Sequence, residues 1–178
     1  MFHRSERLFL RPAFTEDSGA ILAGINDEAV VRNLARAPWP YRMEDAQAFA
    51  ALPQDPRLPH FLVTLPGVGV IGSAGMGEHE GEPEIGYWIA REFWGRGYAT
   101  EAAGAVLRIA RALGHTRLTA GHFADNPASG RVLRKLGFVP TGRRSQRFSL
   151  ARGGDVESVE YALDSEADMD PAPFARAA

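Results

Sequence analysis

The stretch from Glu84 to Glu101, EIGYWIAREFWGRGYATE, holds the pattern best suited to chemistry. A strand-like run enters a turn with Gly95 and Gly97, and a helical pattern follows at once. Glycines there let backbone N–H groups approach a ligand closely, and the helix start adds unpaired N–H donors and a positive dipole end. The arrangement is a phosphate cradle, although many strand–glycine–helix turns bind nothing. Two common phosphate binders are excluded. A P-loop needs GxxxxGK(S/T), and the only lysine, Lys135, lies well outside this turn. A dinucleotide fold wants GxGxxG, but Gly95-Arg96-Gly97 is followed by Tyr98-Ala99-Thr100, so the third glycine is missing. No His/Cys/Asp constellation has metal-ligand spacing and no Ser/His/Asp set stands out, so no metal is expected.

With EIGYWI before it and NPASGRVLRKLGF after it, WGRGYATEA resembles the GNAT superfamily of acyl-CoA-dependent N-acetyltransferases. The opening SERLFLRPAFTEDSGAIL is similar to the first strand and helix of the RimJ/RimL branch, which includes acetyltransferases of ribosomal-protein N-termini. The resemblance covers about residues 5 to 163, nearly the whole domain, and implies acetyl-CoA as co-substrate. The superfamily's pyrophosphate loop, Gln/Arg-x-x-Gly-x-Gly/Ala, falls on Trp94-Gly95-Arg96-Gly97-Tyr98-Ala99, so Trp94 departs at the first position. Its donors would be the backbone amides of Gly95 to Thr100, which that departure leaves intact. The resemblance also implies that Ile89 ends a strand splayed from its parallel neighbour and hydrogen-bonded to the pantetheine arm. Asn126 sits where the family places a side chain touching pantetheine; a helix N-cap before Pro127 is the structural alternative.

The implied reaction is direct attack of an amine on the thioester within a ternary complex. The amine must be neutral, and an α-amine (pKa near ~8) costs roughly 3 kcal/mol less to deprotonate at neutral pH than lysine (~10.4). Glu84 heads the strand leading into the loop and shares a face with Gly86 and Trp88, which makes it the candidate base; a salt-bridged strand-end carboxylate is the alternative. His79, Glu80, Glu82 and His122 are weaker rivals. Many superfamily members place an acidic tyrosine before Gly-Phe, where this chain has Leu133; Ser129, in the branch's Asn-x-x-Ser pattern, is the hydroxyl left for the thiolate, or else simple capping material. Trp39 and Tyr41, on a loop broken by two prolines, are candidates to wall the acceptor pocket or to pack over the core. Arg131, Arg134 and Lys135 offer charge for the 3′-phosphate or form a solvated helix face.

Those residues need elements to hold them. RLFLR (7–11) alternates as a strand, and Thr15 to Ser18 supplies capping chemistry for a helix carrying Ile21, Leu22 and Ile25. Val30, Val31 and Leu34 mark a second helical piece, and 44–52 a third, ended by Pro53. Strands are expected at 61–65, 68–76 and 84–89, with the polar stretch 77–83 as a connection. An apolar stripe from Ala99 to Leu113 predicts the longest helix, stopped at Gly114. A strand at 118–123, a helix at 127–136 capped by Gly137, and strands at 138–150 and 156–163 complete the domain. The resemblance makes this an α/β (α+β) GNAT fold, a mixed, mostly antiparallel sheet flanked by helices and splayed between its fourth and fifth strands. Residues 1–164 are expected to form one domain, and the acidic, then Ala/Pro-rich, 165–178 a disordered tail.

Composition sets the outer limits. The 178 residues are 45% hydrophobic and 24% charged, an ordinary globular balance that suits one domain. No apolar run approaches the roughly 18 residues of a membrane span, and the N-terminus lacks a signal-peptide stretch, so a cytoplasmic protein without membrane contact is expected. A net charge of −2 argues against a nucleic-acid partner. The absence of cysteine excludes a thiol-acyl intermediate. A protein or peptide N-terminal amine is the expected acceptor. Alternatives are a small-molecule amine (an amino acid, a polyamine, or an amino-sugar antibiotic favoured by the acidic Glu78, Glu80, Glu82 and Glu84) and a non-catalytic acyl-CoA-binding regulator. Either a monomer or a homodimer fits.

Overall fold

Alternating apolar residues build one eight-stranded sheet in the order β1-β2-β3-β4-β5-β6-β8-β7. The computed structural model describes residues 1–164, so the tail expected at 165–178 lies outside the described residues. In chain order the elements are β1 (His3–Arg4), β2 (Phe9–Arg11), α1 (Ser18–Ile25), α2 (Glu28–Val31), α3 (Met43–Ala50), β3 (His60–Leu65), β4 (Gly69–His79), β5 (Glu82–Ile89), α4 (Tyr98–Ala112), β6 (Arg117–Phe123), α5 (Pro127–Lys135), β7 (Val139–Ser149) and β8 (Gly154–Asp164). Because β1 adds a two-residue strand, the fourth and fifth expected strands are β5 and β6.

Each sheet face buries its own apolar set. On β5, Ile85 and Ile89 pack with α4 residues such as Ala102, Val106 and Ala110, together with Leu133 of α5. Trp88 points the other way, against Ile21 and Ile25 of α1, Val30 and Val31 of α2, and Ala46 and Ala50 of α3. This is the period-two alternation of a strand covered on both sides. Asp27, the N-cap of α2, accepts from Ala29 N–H at 2.8 Å, and Asp45, the third residue of α3, reaches back to accept from Arg42 N–H at its N-cap at 2.8 Å.

Two expectations need correction. Residues 77–83 are not a connection: β4 and β5 stay in register out to His79↔Glu82. A two-residue turn closes this hairpin, with φ of 51° at Glu80 and 80° at Gly81, the positive pair that a type I′ turn requires. The polarity that suggested a loop belongs to a hairpin end in water. The first strand is also shorter than 7–11, because Arg7 directs its backbone N–H to Glu101 instead of a strand partner.

The sheet opens between β5 and β6. These parallel strands share one registered pair, Glu84↔Thr119, beside which Thr119 Oγ1 donates to Pro83 O at 3.2 Å. Beyond that point β5 stays with β4, while β6 follows β8 through Phe123↔Ser158. Ala90 N–H donates to Ile71 O at 2.8 Å, so by antiparallel alternation the backbone groups of Tyr87 and Ile89 face the opening. Among the described residues no helix is long and apolar enough to cross a membrane.

Candidate active site

The loop after β5 is shaped by its glycines. Gly95 has φ 74° and Gly97 φ 81°, conformations that L side chains rarely adopt, and a Cβ on Gly95 would meet open space. Gly97 is the N-cap of α4, and its carbonyl accepts from Glu101 N–H at 3.1 Å. The N–H groups of Tyr98, Ala99 and Thr100 therefore have no helical partner. This donor set, at the positive end of a 15-residue helix, fits a pyrophosphate.

Arg7 pins that loop from behind. Its guanidinium donates to Glu101 Oε2 at 2.7 Å and to Arg96 O at 3.0 Å, and it lies 4.6 Å over the Tyr98 ring. Glu101 Oε1 also accepts from Arg7 N–H and Ser5 Oγ, each at 2.7 Å. Burial alone would raise the Glu101 pKa, but these hydrogen bonds and the arginine charge outweigh it and hold the carboxyl below its ordinary value. Trp94, the departure from the loop pattern, turns its indole N–H onto Ile89 O at 2.6 Å.

A continuous cavity of about 1360 Å³ runs from this loop through the β5–β6 opening to the other face of the sheet. It is lined by Ile89, Trp94, Gly95, Gly97, Tyr98, Ala99, Thr100, Asn126, Ser129 and Glu84, so the structure brings together most of the expected site. Arg96 contributes its carbonyl to Arg7 and stacks its guanidinium 5.7 Å from the Phe93 ring. Asn126 is the N-cap of α5, accepting from Ser129 N–H at 3.4 Å, and it lines the cavity as well. Tyr41 is buried in the wall, where burial and then Asp45 push its phenol up to about 12. Trp39 is 39% exposed and is not among the lining residues.

The polar groups divide by function of place. Ser129 Oγ and Tyr87 Oη share a hydrogen bond of 2.8 Å at the opening. Burial, against the opposing hydrogen bond from Ser129, pushes the Tyr87 phenol up to about 12, so it keeps its proton at neutral pH. Sequence reasoning passed over Tyr87; the available signal was strand parity, which sets it opposite Glu84 on the α4 face. Glu84 Oε1 accepts from Arg147 Nη2 at 2.7 Å. Of the rivals, His79 and His122 line the cavity, His122 donating Nδ1–H to Phe123 O at 2.8 Å. Glu80 pairs with Arg143 at 3.3 Å and Glu82 with Arg117 at 3.1 Å, which disperses the acidic run. Arg131 and Lys135 also line the cavity, while Arg134 donates to Tyr161 Oη at 2.9 Å.

An opened parallel pair, a glycine cradle at a helix start and a cavity through the sheet define a class of acyl-CoA-dependent acyltransferases. Residues 7–139 match the Acetyltransferase (GNAT) domain family, and the chain belongs to that family. It is 34% identical over 169 residues to the uncharacterized N-acetyltransferase YoaA of Bacillus subtilis (strain 168), covering 89% of this chain and 94% of that protein. The acetyltransferase (GNAT family) structure from Bacillus anthracis matches with a TM-score of 0.78 and 25% identity, over 93% of this chain and 99% of that one. RimL, a ribosomal L7/L12 alpha-N-protein acetyltransferase solved in complex with coenzyme A, shares the fold at TM-score 0.78 and 21% identity, over 94% of this chain and 100% of that one. The protein is an acetyl-CoA-dependent N-acetyltransferase of GNAT fold.

Proposed function

We propose that this chain acetylates protein or peptide N-terminal amines, as a RimJ/RimL-like enzyme, by direct attack in a ternary complex. The observation that carries the reading is the single cavity joining the glycine loop to Glu84 on the far side of the sheet. Its acceptor mouth is edged by the exposed apolar side chains Leu52, Phe148 and Leu150, which suits an extended chain end entering from solvent. The RimL likeness supports the same substrate class. Glu80 and Glu82 pair with arginines, and Glu78, Glu80 and Glu82 are absent from the cavity wall, so of the acidic run Glu84 alone faces an acceptor.

Bound acetyl-CoA supplies an activated thioester carbonyl and a sulfur leaving group. The amides of Gly95 to Thr100 hold its pyrophosphate, with the backbone groups of Tyr87 and Ile89 along the arm. Glu84 accepts the proton of the attacking amine, directly or through a water, and an α-amine needs only modest help at neutral pH. Ser129, backed by the protonated Tyr87, donates to the departing sulfur. The products are the N-acetylated amine and free CoA thiol.

A thiol reagent reading CoA release tests this against pooled N-terminal peptides and pooled small amines, without thiol background from a chain that has no cysteine. Release with the peptides is expected. Release only with small amines would replace the substrate class. Binding of acetyl-CoA without any release would favour a binding protein.

A further inference from the structure

Arg147 reaches the acceptor end from β7, across β8 and β6, to meet Glu84 on β5. Gly121 lies directly beneath the pair: a Cβ there would crowd Ser158 Oγ at 3.2 Å and come into van der Waals contact with Arg147 Nη1 at 3.4 Å and Glu84 Oε1 at 3.7 Å. The side chains of Arg147 and Glu84 are only 18% and 19% exposed, and both line the cavity. A guanidinium carries five N–H donors, yet Arg147 makes one hydrogen bond among the described residues, through Nη2 to Glu84 Oε1. Glu84 Oε2 has no protein partner there.

The rest of that end offers no second free carboxylate. Among the described residues Glu84 and Asp45 are its only carboxylates, Asp45 is held at the start of α3, and Arg36 lines it as well, while burial lowers the His60 pKa and leaves that ring neutral at pH 7. A cationic amine arriving at Glu84 would compete for the one carboxylate that Arg147 has, and would leave a mostly buried guanidinium underpaired. An acceptor that brings its own carboxylate avoids that loss. We infer that Glu84 and Arg147 form a two-point clamp for an amine with a carboxylate a few bonds away, Glu84 Oε2 taking the amine and the spare Arg147 N–H groups the carboxylate. This rests on the acetyl transfer proposed above, with Glu84 beside the reacting amine. The carboxylate has two sources, the α-carboxylate of a free amino acid or the side chain of an acidic N-terminal residue.

The test compares kcat/KM for matched acceptors: free amino acids against their amides, and peptides beginning with Asp or Glu against those beginning with Asn or Gln. The wild-type chain should prefer the carboxylate member of at least one series by about tenfold or more, the size of one charge-assisted hydrogen bond. The series that shows it identifies the source. In Arg147→Gln that ratio should collapse toward unity, and Arg147→Lys should restore part of it. Equal use of both members by the wild type overturns the clamp without needing any variant to fold. So does an unchanged ratio in Arg147→Gln. Absence of turnover with every carboxylate acceptor also overturns it when acetyl-CoA binds, whereas failure to bind acetyl-CoA overturns the donor reading underneath.

Discussion

The strand and pyrophosphate loop of the donor end form one contiguous stretch, Ile85 to Thr100, braced by Arg7, and present largely backbone, with α5 adding Asn126 and Ser129 from further along the chain. The acceptor end gathers Arg36 and Tyr41 from a loop, His79 from β4, Glu84 from β5, Gly121 from β6, and Arg147 and Phe148 from β7, and what it presents is side chains. Backbone amides are aimed as soon as the chain turns through Gly95 and Gly97. Side chains from separate strands meet only once the sheet has closed. Recognition of the donor is thus a local property of the chain and recognition of the acceptor a tertiary one, so substitutions should separate the two substrates kinetically.

Gly97→Val should separate them most. A β-branched residue at φ 81° is strained, and its Cβ would come 3.5 Å from Arg7 Nη2. The KM for acetyl-CoA should rise about tenfold to hundredfold, from a backbone cost of roughly 1–3 kcal/mol. The acceptor KM should stay within about twofold, because the one atom a Gly97 Cβ would approach within 4 Å belongs to Arg7, at the donor end. Varying each substrate in turn checks this, and parallel rises in both constants would erase the distinction between the ends.

Ser129→Ala acts between them. With the hydroxyl gone, kcat should fall about tenfold while both KM values hold, a modest general-acid effect because the thiolate leaves readily. A similar KM rise for acetyl-CoA would reduce Ser129 to a helix-start residue.

Arg152→Ala probes the acceptor side. Arg152 grips Asp125 with two bonds of 2.8 and 2.9 Å and donates to Arg32 O at 2.8 Å, while Leu150 N–H donates to Ala35 O at 3.0 Å. Loosening the β7–β8 connection should raise the acceptor KM about threefold and leave acetyl-CoA alone, the scale of a partly exposed ion pair. If the acetyl-CoA KM moves instead, the hairpin belongs to the donor half.

Acid should affect both ends, and least. Hydrogen bonds from Arg7 and Ser5 overcome burial to lower Glu101, and the Arg152 hydrogen bond lowers Asp125. Depressed folded values stabilise the protein above the unfolded carboxylate range, near pH ~4, and that stability is lost as pH falls through the folded values. Melting temperatures of Glu101→Gln and Asp125→Asn should each show a flatter acid limb than the parent. Only Glu101→Gln should also weaken acetyl-CoA binding, which a titration at neutral pH would reveal.

The same contrast explains what was legible in the sequence. The α4 stripe, the glycine turn and Pro127 opening α5 are short-range signals, and the structure reproduces them within a residue or two. The hairpin at 77–83 was hidden because polar residues at a solvent-exposed turn look like a loop. Arg147 had no local signal, since its partner is 63 positions away and two strands intervene. Trp39 and Tyr41 are neighbours on one proline-broken loop, yet of the two Tyr41 alone turns into the cavity wall. Tyr87 was recoverable, but only by asking which residues share the strand face opposite Glu84.

Trp94 gives the chain an optical property. Its three tryptophans differ in setting: Trp88 is 8% exposed where it lines the cavity from the core, Trp39 39% exposed on the loop before α3, and Trp94 45% exposed with its indole hydrogen-bonded at the end of β5. Trp94 alone sits in the glycine loop, so with Trp39 replaced by phenylalanine the solvent-exposed emission comes from the mouth of the donor site. Loading of the loop then becomes visible as light, in real time and without a label.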